Sequence, residues 1–250
     1  MKVFFIVSLL IATLGWSTVA DPVQTPPPQD EEAQALVNTL LSQVPAEALS
    51  VRGVMTVRGT DRKRLKIPFQ HSILPSPDGW RVIYKTESSA AKPAEWLEVI
   101  HRIGKPNEYL YHDPDLGAHA VELKQEDAAV PFAKTDFWLT DLGLEFLHWP
   151  DQRLVKDLKI TMRKGRPCKV LESTNPSPTD IGYGKVLSWI DSEHGGVIYA
   201  EASDPQGRHL KVFEVKAVRD GQVSRIEIRN EQRDTRTSIE FFVESDSTPE

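Results

Sequence analysis

The sequence predicts an α+β protein: one curved antiparallel sheet of about eleven or twelve strands, with two or three helices packed in its mouth. Three observations predict it. Between Ala33 and Val44 apolar residues recur at spacings of three and four, the face of one helix. From Leu49 onward the period becomes two, in short runs joined by turn-forming residues. One apolar stretch breaks the alternation: FWLTDLGLEFLHWP, Phe137 to Pro150, reads as a helix and not as a strand.

The first residues set the compartment. Met1 and Lys2 are followed by the uncharged run Val3–Trp16, then by small residues up to Ala20, with Thr18 at the −3 position. That is the order of a secretory signal peptide. The run, about 14 residues, is shorter than the roughly 20 that span a bilayer. Residues 1–20 are therefore expected to be removed and the protein exported to the periplasm; an uncleaved anchor is the alternative. No cysteine follows the cleavage site, so no lipid anchor is expected.

Residues 21–30 form a proline-rich, extended lead-in. One domain is expected from 31 to 244, with a flexible tail at 245–250. Its helix begins with Asp30 as N-cap and Glu31 and Glu32 in the first turn, carries Ala33, Leu36, Val37, Leu40, Leu41 and Val44 on one face, and is ended by Pro45.

The strands follow in order. Val51, Gly53, Met55 and Val57 alternate with Arg52, Val54, Thr56 and Arg58. Leu65, Ile67, Phe69, His71 and Ile73 form the next set, in which Pro68 favours an edge or a bulge. Past the Pro77–Gly79 turn come Trp80, Val82 and Tyr84, then WLEVIHRI and NEYLYH. Residues 116–133 weaken into a loop. After the apolar stretch, strands return as LKITMRK, PCKVLES, KVLSWID, VIYAEAS, HLKVFEVKAV, VSRIEIRN and TSIEFFVE, with turns at Asp204–Gly207 and Asp220-Gly221. No gap there needs a crossover helix, so this half is an antiparallel meander. A sheet this large curls, and its apolar hollow needs a cover.

Composition excludes several functions. The net charge of −6, or −7 once Lys2 is lost, argues against nucleic acid and against a generally basic, anionic-lipid-binding surface. Cys168 is the only cysteine, so no internal disulfide forms and stability comes from a core. No nucleophile elbow, zinc pair, phosphate loop or dinucleotide fingerprint is present. His112, Asp113, Asp115 and His119 read as a turn before they read as metal ligands. Cys168 lies among cations but shares a strand face with Val170, as a buried cysteine does. His148 has no serine, cysteine or acid tied to it in sequence. No catalytic residue, metal or cofactor is expected.

The apolar stretch is then the candidate site. As a helix starting near Thr140 and stopping before Pro150 it places Leu139, Leu142, Phe146 and Trp149 on one side with Leu147 beside them, and Asp141 and Glu145 on the other. It is either a core helix closing the sheet or a lid over a cavity for acyl chains or an apolar peptide. Leu187, Trp189, Ile239 and Phe241 are the candidate lining residues on the sheet.

The series CKVLES, KVLSWID, VIYAEASDPQGRHLKVFEV and TRTSIEF resembles the bacterial outer-membrane lipoprotein-sorting proteins, the LolA-like periplasmic carriers, over about residues 135–243. The resemblance implies a half-open, strongly curved sheet, an incomplete barrel, with helices over its concave face. It implies a non-enzymatic carrier that shields lipoprotein acyl chains from water, where each exposed methylene costs about 0.8 kcal/mol. Lipoproteins or lipid acyl chains, with inner- and outer-membrane proteins as donor and acceptor, are the implied partners of a monomer. The resemblance also implies an arginine that locks the lid; Arg52 and Arg58 on the first strand are the candidates, and no motif fixes the choice. An envelope sensor or scaffold that binds a protein partner on the same fold is the second reading.

Overall fold

The computed structural model describes residues 30–61, 63–89, 93–124, 127–156, 162–219 and 221–242. The expected signal peptide, the lead-in as far as residue 29 and the tail at 245–250 lie outside them, as do Leu158–Thr161 and Asp220 of the expected strand and turn.

Helix α1 (Glu31–Leu41) starts as expected: the Asp30 carboxylate accepts the Ala33 N–H at 3.2 Å. Its other oxygen accepts the Leu154 N–H at 3.0 Å, so one side chain caps the helix and ties it to the sheet. Ala33 and Val37 are buried. The helix ends short of Pro45, where Ser42 caps it by donating its N–H to the Asn38 carbonyl.

Among the described residues fourteen strands form one antiparallel sheet. They are β1 (Leu49–Arg58), β2 (Arg64–Ser76), β3 (Gly79–Thr86), β4 (Trp96–Arg102), β5 (Glu108–His112), β6 (Val121–Leu123), β7 (Asp151–Leu154), β8 (Met162–Arg163), β9 (Arg166–Thr174), β10 (Lys185–Asp191), β11 (Val197–Ser203), β12 (His209–Arg219), β13 (Gln222–Asn230) and β14 (Thr235–Phe242). The expected strands recur, LKITMRK only as its described part Met162–Arg163, and β6 and β7 are additions; at three and four residues they are too short to show a period. The order is β6-β5-β4-β3-β2-β1-β14-β13-β12-β11-β10-β9-β7, with β8 folded against β9. Two meanders are thus joined by the pairing of β1 with β14, and the sheet is not closed.

That central join depends on a glycine. Gly53 stands opposite both Phe69 and Phe241. A Cβ on it would fall 2.6 Å from the Phe69 ring and from the Glu240 carbonyl. Pro68 lies in an interior strand, contrary to expectation. Its missing N–H points the same way as its carbonyl, which accepts the Glu87 N–H just past the end of β3. The proline is therefore at an edge locally, though β2 is not an edge strand.

Alternation sorts the side chains into two faces. One face carries Met55, Phe69, Tyr84, Leu97, Val99, Tyr109, Ile228 and Ile239 in one cluster, and Leu171, Val186, Ala200 and Ala202 in a second. The opposite face holds a small cluster of Cys168, Val170 and Trp189, with Leu187 and Tyr199 against it. This corrects the grouping of the four sheet candidates. Register runs from Ile239 through Ile226 and Val215 on β12, and from Phe213 on that same strand face through Ala200 to Ser188. Ser188 shares the face of Ile239, so Leu187 and Trp189 look away from Ile239 and Phe241.

The apolar stretch is not one helix. It contains a single turn, α2 (Leu139–Leu142), then Gly143, then Leu144 in the left-handed region at φ 50°, then a 3₁₀ turn at Glu145–His148. Gly143 rests on Tyr109, where a Cβ would meet the phenol oxygen at 2.4 Å. The break reverses the expected polarity: Asp141 and Glu145 are buried, while Leu144 is exposed.

Candidate functional site

The segment from Ala128 to Trp149 lies on the large apolar face. Phe132, Phe137, Leu139 and Leu142 belong to the first cluster, and Phe146, Leu147 and half-buried Trp149 to the second. The five candidate lid residues are therefore brought onto one sheet face but divided between two clusters, with the Gly143–Leu144 break between them.

Little regular secondary structure holds this segment; buried carboxylates do. Glu95 accepts the Ala133 N–H at 2.6 Å and the Tyr111 hydroxyl at 2.8 Å. Asp136 accepts the hydroxyls of Thr235 at 2.5 Å and Thr237 at 2.8 Å, on β14. Asp141 takes the Trp138 N–H at 2.7 Å, the Tyr183 hydroxyl at 2.7 Å and the Lys211 ammonium at 3.0 Å, and both charged side chains of that ion pair are fully buried. Lys211 Nζ also lies 3.4 Å from the centre of the Trp138 ring, which stacks on Tyr183. Glu145 accepts the Tyr109 hydroxyl at 2.7 Å and the Asn107 amide at 3.2 Å. At the far end Gln152 donates to the carbonyls of Phe146 and Trp149 at 2.9 and 2.8 Å, filling acceptors that the short 3₁₀ turn leaves open.

Two of these groups titrate in unusual ranges. Burial raises the Glu145 carboxyl to about 7, against the opposing pull of the Tyr109 and Asn107 hydrogen bonds. Burial lowers Lys211 to about 8, with Asp141 opposing. Beside Glu145, His148 is lowered by burial, and His101 is lowered to about 4 by burial and then by His148. Glu145 Oε1 and His148 Nε2 are buried without a hydrogen-bond partner among the described residues.

Cavities flank the segment. One of about 240 Å³ lies between Phe137, Leu142 and Phe146 and the sheet residues Ala200, Phe213 and Ile226. Another, of about 260 Å³, lies on the other side of Phe146 and is lined by Glu145, His148, Trp149 and Tyr183. Phe146 is a wall of both. A wider groove of about 620 Å³ runs between Leu49, Val51, Ile73 and Phe241 and contains buried His71. Ile239 is fully buried and lines none of the three.

The other candidates resolve simply. Asp113–Leu116 closes a turn in which the Leu116 N–H reaches the Asp113 carbonyl, and Asp115 pairs with Lys134. Cys168 is buried, and its thiol is raised by that burial. Among the described residues one group, Asp191, Glu193 and His194, brings ligand atoms within 4.8 Å of one another, but Asp191 already holds Arg166 at 2.6 Å. Arg52 and Arg58 alternate with the inward residues of β1 and face away from the segment. The cation that meets the segment is Lys211, and the sequence carries its signal: it shares a strand face with Phe213 and Val215, where a charge needs a buried partner.

No helix among the described residues is long and apolar enough to cross a membrane. A family model described as an uncharacterized protein matches residues 81–243. A search of the curated proteins finds no match. Among solved structures, the chain is similar to a domain described as an outer membrane lipoprotein-sorting protein from Vibrio parahaemolyticus, at 16% identity and a TM-score of 0.69, covering 88% of this chain and 94% of that one. It is similar to a DUF1329 family protein from Desulfovibrio piger, at 16% identity and a TM-score of 0.66, covering 84% and 90%. It is also similar to a LolA superfamily protein from Nitrosomonas europaea, at 15% identity and a TM-score of 0.60, covering 84% and 91%. At these identities the likeness is one of fold.

Proposed function

The chain belongs to the family whose model spans residues 81–243 and has the LolA-like fold, and from that premise we propose that it is a carrier for acyl chains. In this reading residues 128–149 are the lid, Leu139, Leu142, Phe146, Leu147 and Trp149 are its apolar contacts, and Phe241 lines the mouth. The cargo is a lipoprotein or another lipid-bearing molecule, received and delivered through inner- and outer-membrane proteins. Export to the periplasm after loss of residues 1–20, a single domain from 31 to 244, a monomeric state and the absence of catalysis belong to the same proposal and rest on sequence.

The observation that carries it is how the segment is held. An apolar chain of this length lies on an apolar sheet face, yet its anchorage is a set of side-chain hydrogen bonds and one buried ion pair, Lys211–Asp141. Such an anchorage releases as a unit when a competing ligand takes the apolar contacts. The flanking cavities, at about 240 and 260 Å³, fall below the 300–1,000 Å³ of small-molecule sites, as a closed lid requires. Moving Phe146 joins them.

The test is uptake of a fluorescent diacylated lipopeptide, with native mass spectrometry of the protein as purified from envelope extracts. Acyl species bound at purification, and faster uptake by Lys211→Met, are expected. No bound acyl species and no uptake by either protein would rule the carrier out and leave the protein-binding role on the same fold.

A further inference from the structure

The face of the sheet opposite the lid carries an unusual row of charge. Arg58 stands directly across from Arg64 on one side and from Arg236 on the other, and Arg236 stands across from Arg229. Four neighbouring strands, β2, β1, β14 and β13, thus present four arginines in one cross-strand line, with Cα atoms about 5 Å apart at each step. Like charges directly opposite one another work against the pairing that holds them. Some cations elsewhere on the chain are met by acids, Lys164 by Glu214, Lys185 by Glu172 and Lys216 by Glu227. In the row only Arg229 has such a partner, Glu231; Arg58, Arg64 and Arg236 are in no ion pair among the described residues.

The row lines a groove of about 550 Å³ together with Gly59, Thr60, Thr235 and a single carboxylate, Asp234. Arg64, Arg229 and Arg236 are exposed and Arg58 is half-buried between them. Its neighbours Arg64 and Arg236 lower the affinity of Arg58 for its proton. The negative net charge excludes a generally basic surface, but strand register has gathered a local one.

We propose that this row is a docking site for the phosphate-bearing headgroups of an anionic bilayer. Guanidinium groups recognise phosphate with paired, directed hydrogen bonds. A line of four on an open sheet face, spanning about 15 Å at the strand spacing, suits an array of headgroups more than one enclosed anion, which two arginines satisfy. The site lies on the face away from the lid, so docking leaves the lid's apolar face unobstructed. The inference stands without the carrier reading.

The test is co-sedimentation of the purified protein, lacking residues 1–20, with vesicles of phosphatidylglycerol or of phosphatidylcholine. Binding to the anionic vesicles alone is expected, screened away at high salt, and weakened tenfold or more in Arg58→Gln/Arg236→Gln. Lys105→Gln, a distant exposed cation, should bind as the wild type does. The double variant's thermal midpoint should equal or exceed the wild type's, since it removes like-charge repulsion; a fall would show that the row serves the fold and overturn the proposal. Equal binding by the double variant, or no vesicle binding while inorganic pyrophosphate raises the wild-type midpoint, would also overturn it. Lipopeptide uptake in solution should be unchanged in the double variant, which separates this outcome from failure of the carrier reading.

Discussion

Asp141 and Glu145 are spaced as an i, i+4 pair, and on an unbroken helix both would lie on one side, in water. Each has instead buried partners, Lys211 on β12 for one, and Tyr109 on β5 with Asn107 just before it for the other. Breaking the Lys211–Asp141 pair leaves a buried charge alone, so Lys211→Met should lower the unfolding free energy in urea by about 3–5 kcal/mol. Adding Asp141→Asn should return part of that loss. Glu145 sets a pH dependence of known sign. Its folded carboxyl is raised to about 7, so the stability it contributes is complete below the ordinary carboxylate range and is lost as pH rises through about 7. The thermal midpoint should fall across that window in the wild type and stay flatter in Glu145→Gln. These partners were not legible in sequence, because a pattern that sends acids outward is the commoner outcome for surface helices. Lys211 was the available clue, a cation on the strand face of Phe213 and Val215.

At the scale of elements, strand identity followed from alternation and turn chemistry, and the helix α1 from its cap. What the pattern did not supply was the shape of residues 137–149, since the helical spacing read there is broken at Gly143 and Leu144 by contacts with the sheet. Gly143 decides it by lying on Tyr109. Gly143→Ala should cost about 1–3 kcal/mol through overpacking, and amide exchange should quicken through 137–149 more than in β1 or β14. Trp149 is only half-buried, so Trp149→Ala should cost less than the roughly 3–5 kcal/mol of a fully buried ring. Phe146, almost fully buried, should show that larger loss, and Phe146→Ala should admit lipopeptide faster by joining the two cavities.

At the scale of the molecule, the sheet is two meanders joined by the first and last long strands, with open edges among the described residues at β6 and β7. A ligand that binds this folded state alone raises stability by about 2.7 kcal/mol at one hundred times its Kd, so a bound lipopeptide should raise the thermal midpoint. It should also change the fluorescence of Trp138 and Trp149, which the segment carries. By itself the sequence determined the strands, the alternation of side chains within each and the start of α1, because each depends on near neighbours in the chain. Only the tertiary structure decided that β1 pairs with β14, that Leu187 and Trp189 lie opposite Ile239, and that four arginines fall into line. It decided also that FWLTDLGLEFLHWP folds as two turns pinned by buried acids. Those outcomes depend on register between strands far apart in sequence, and local periodicity carries no information about register.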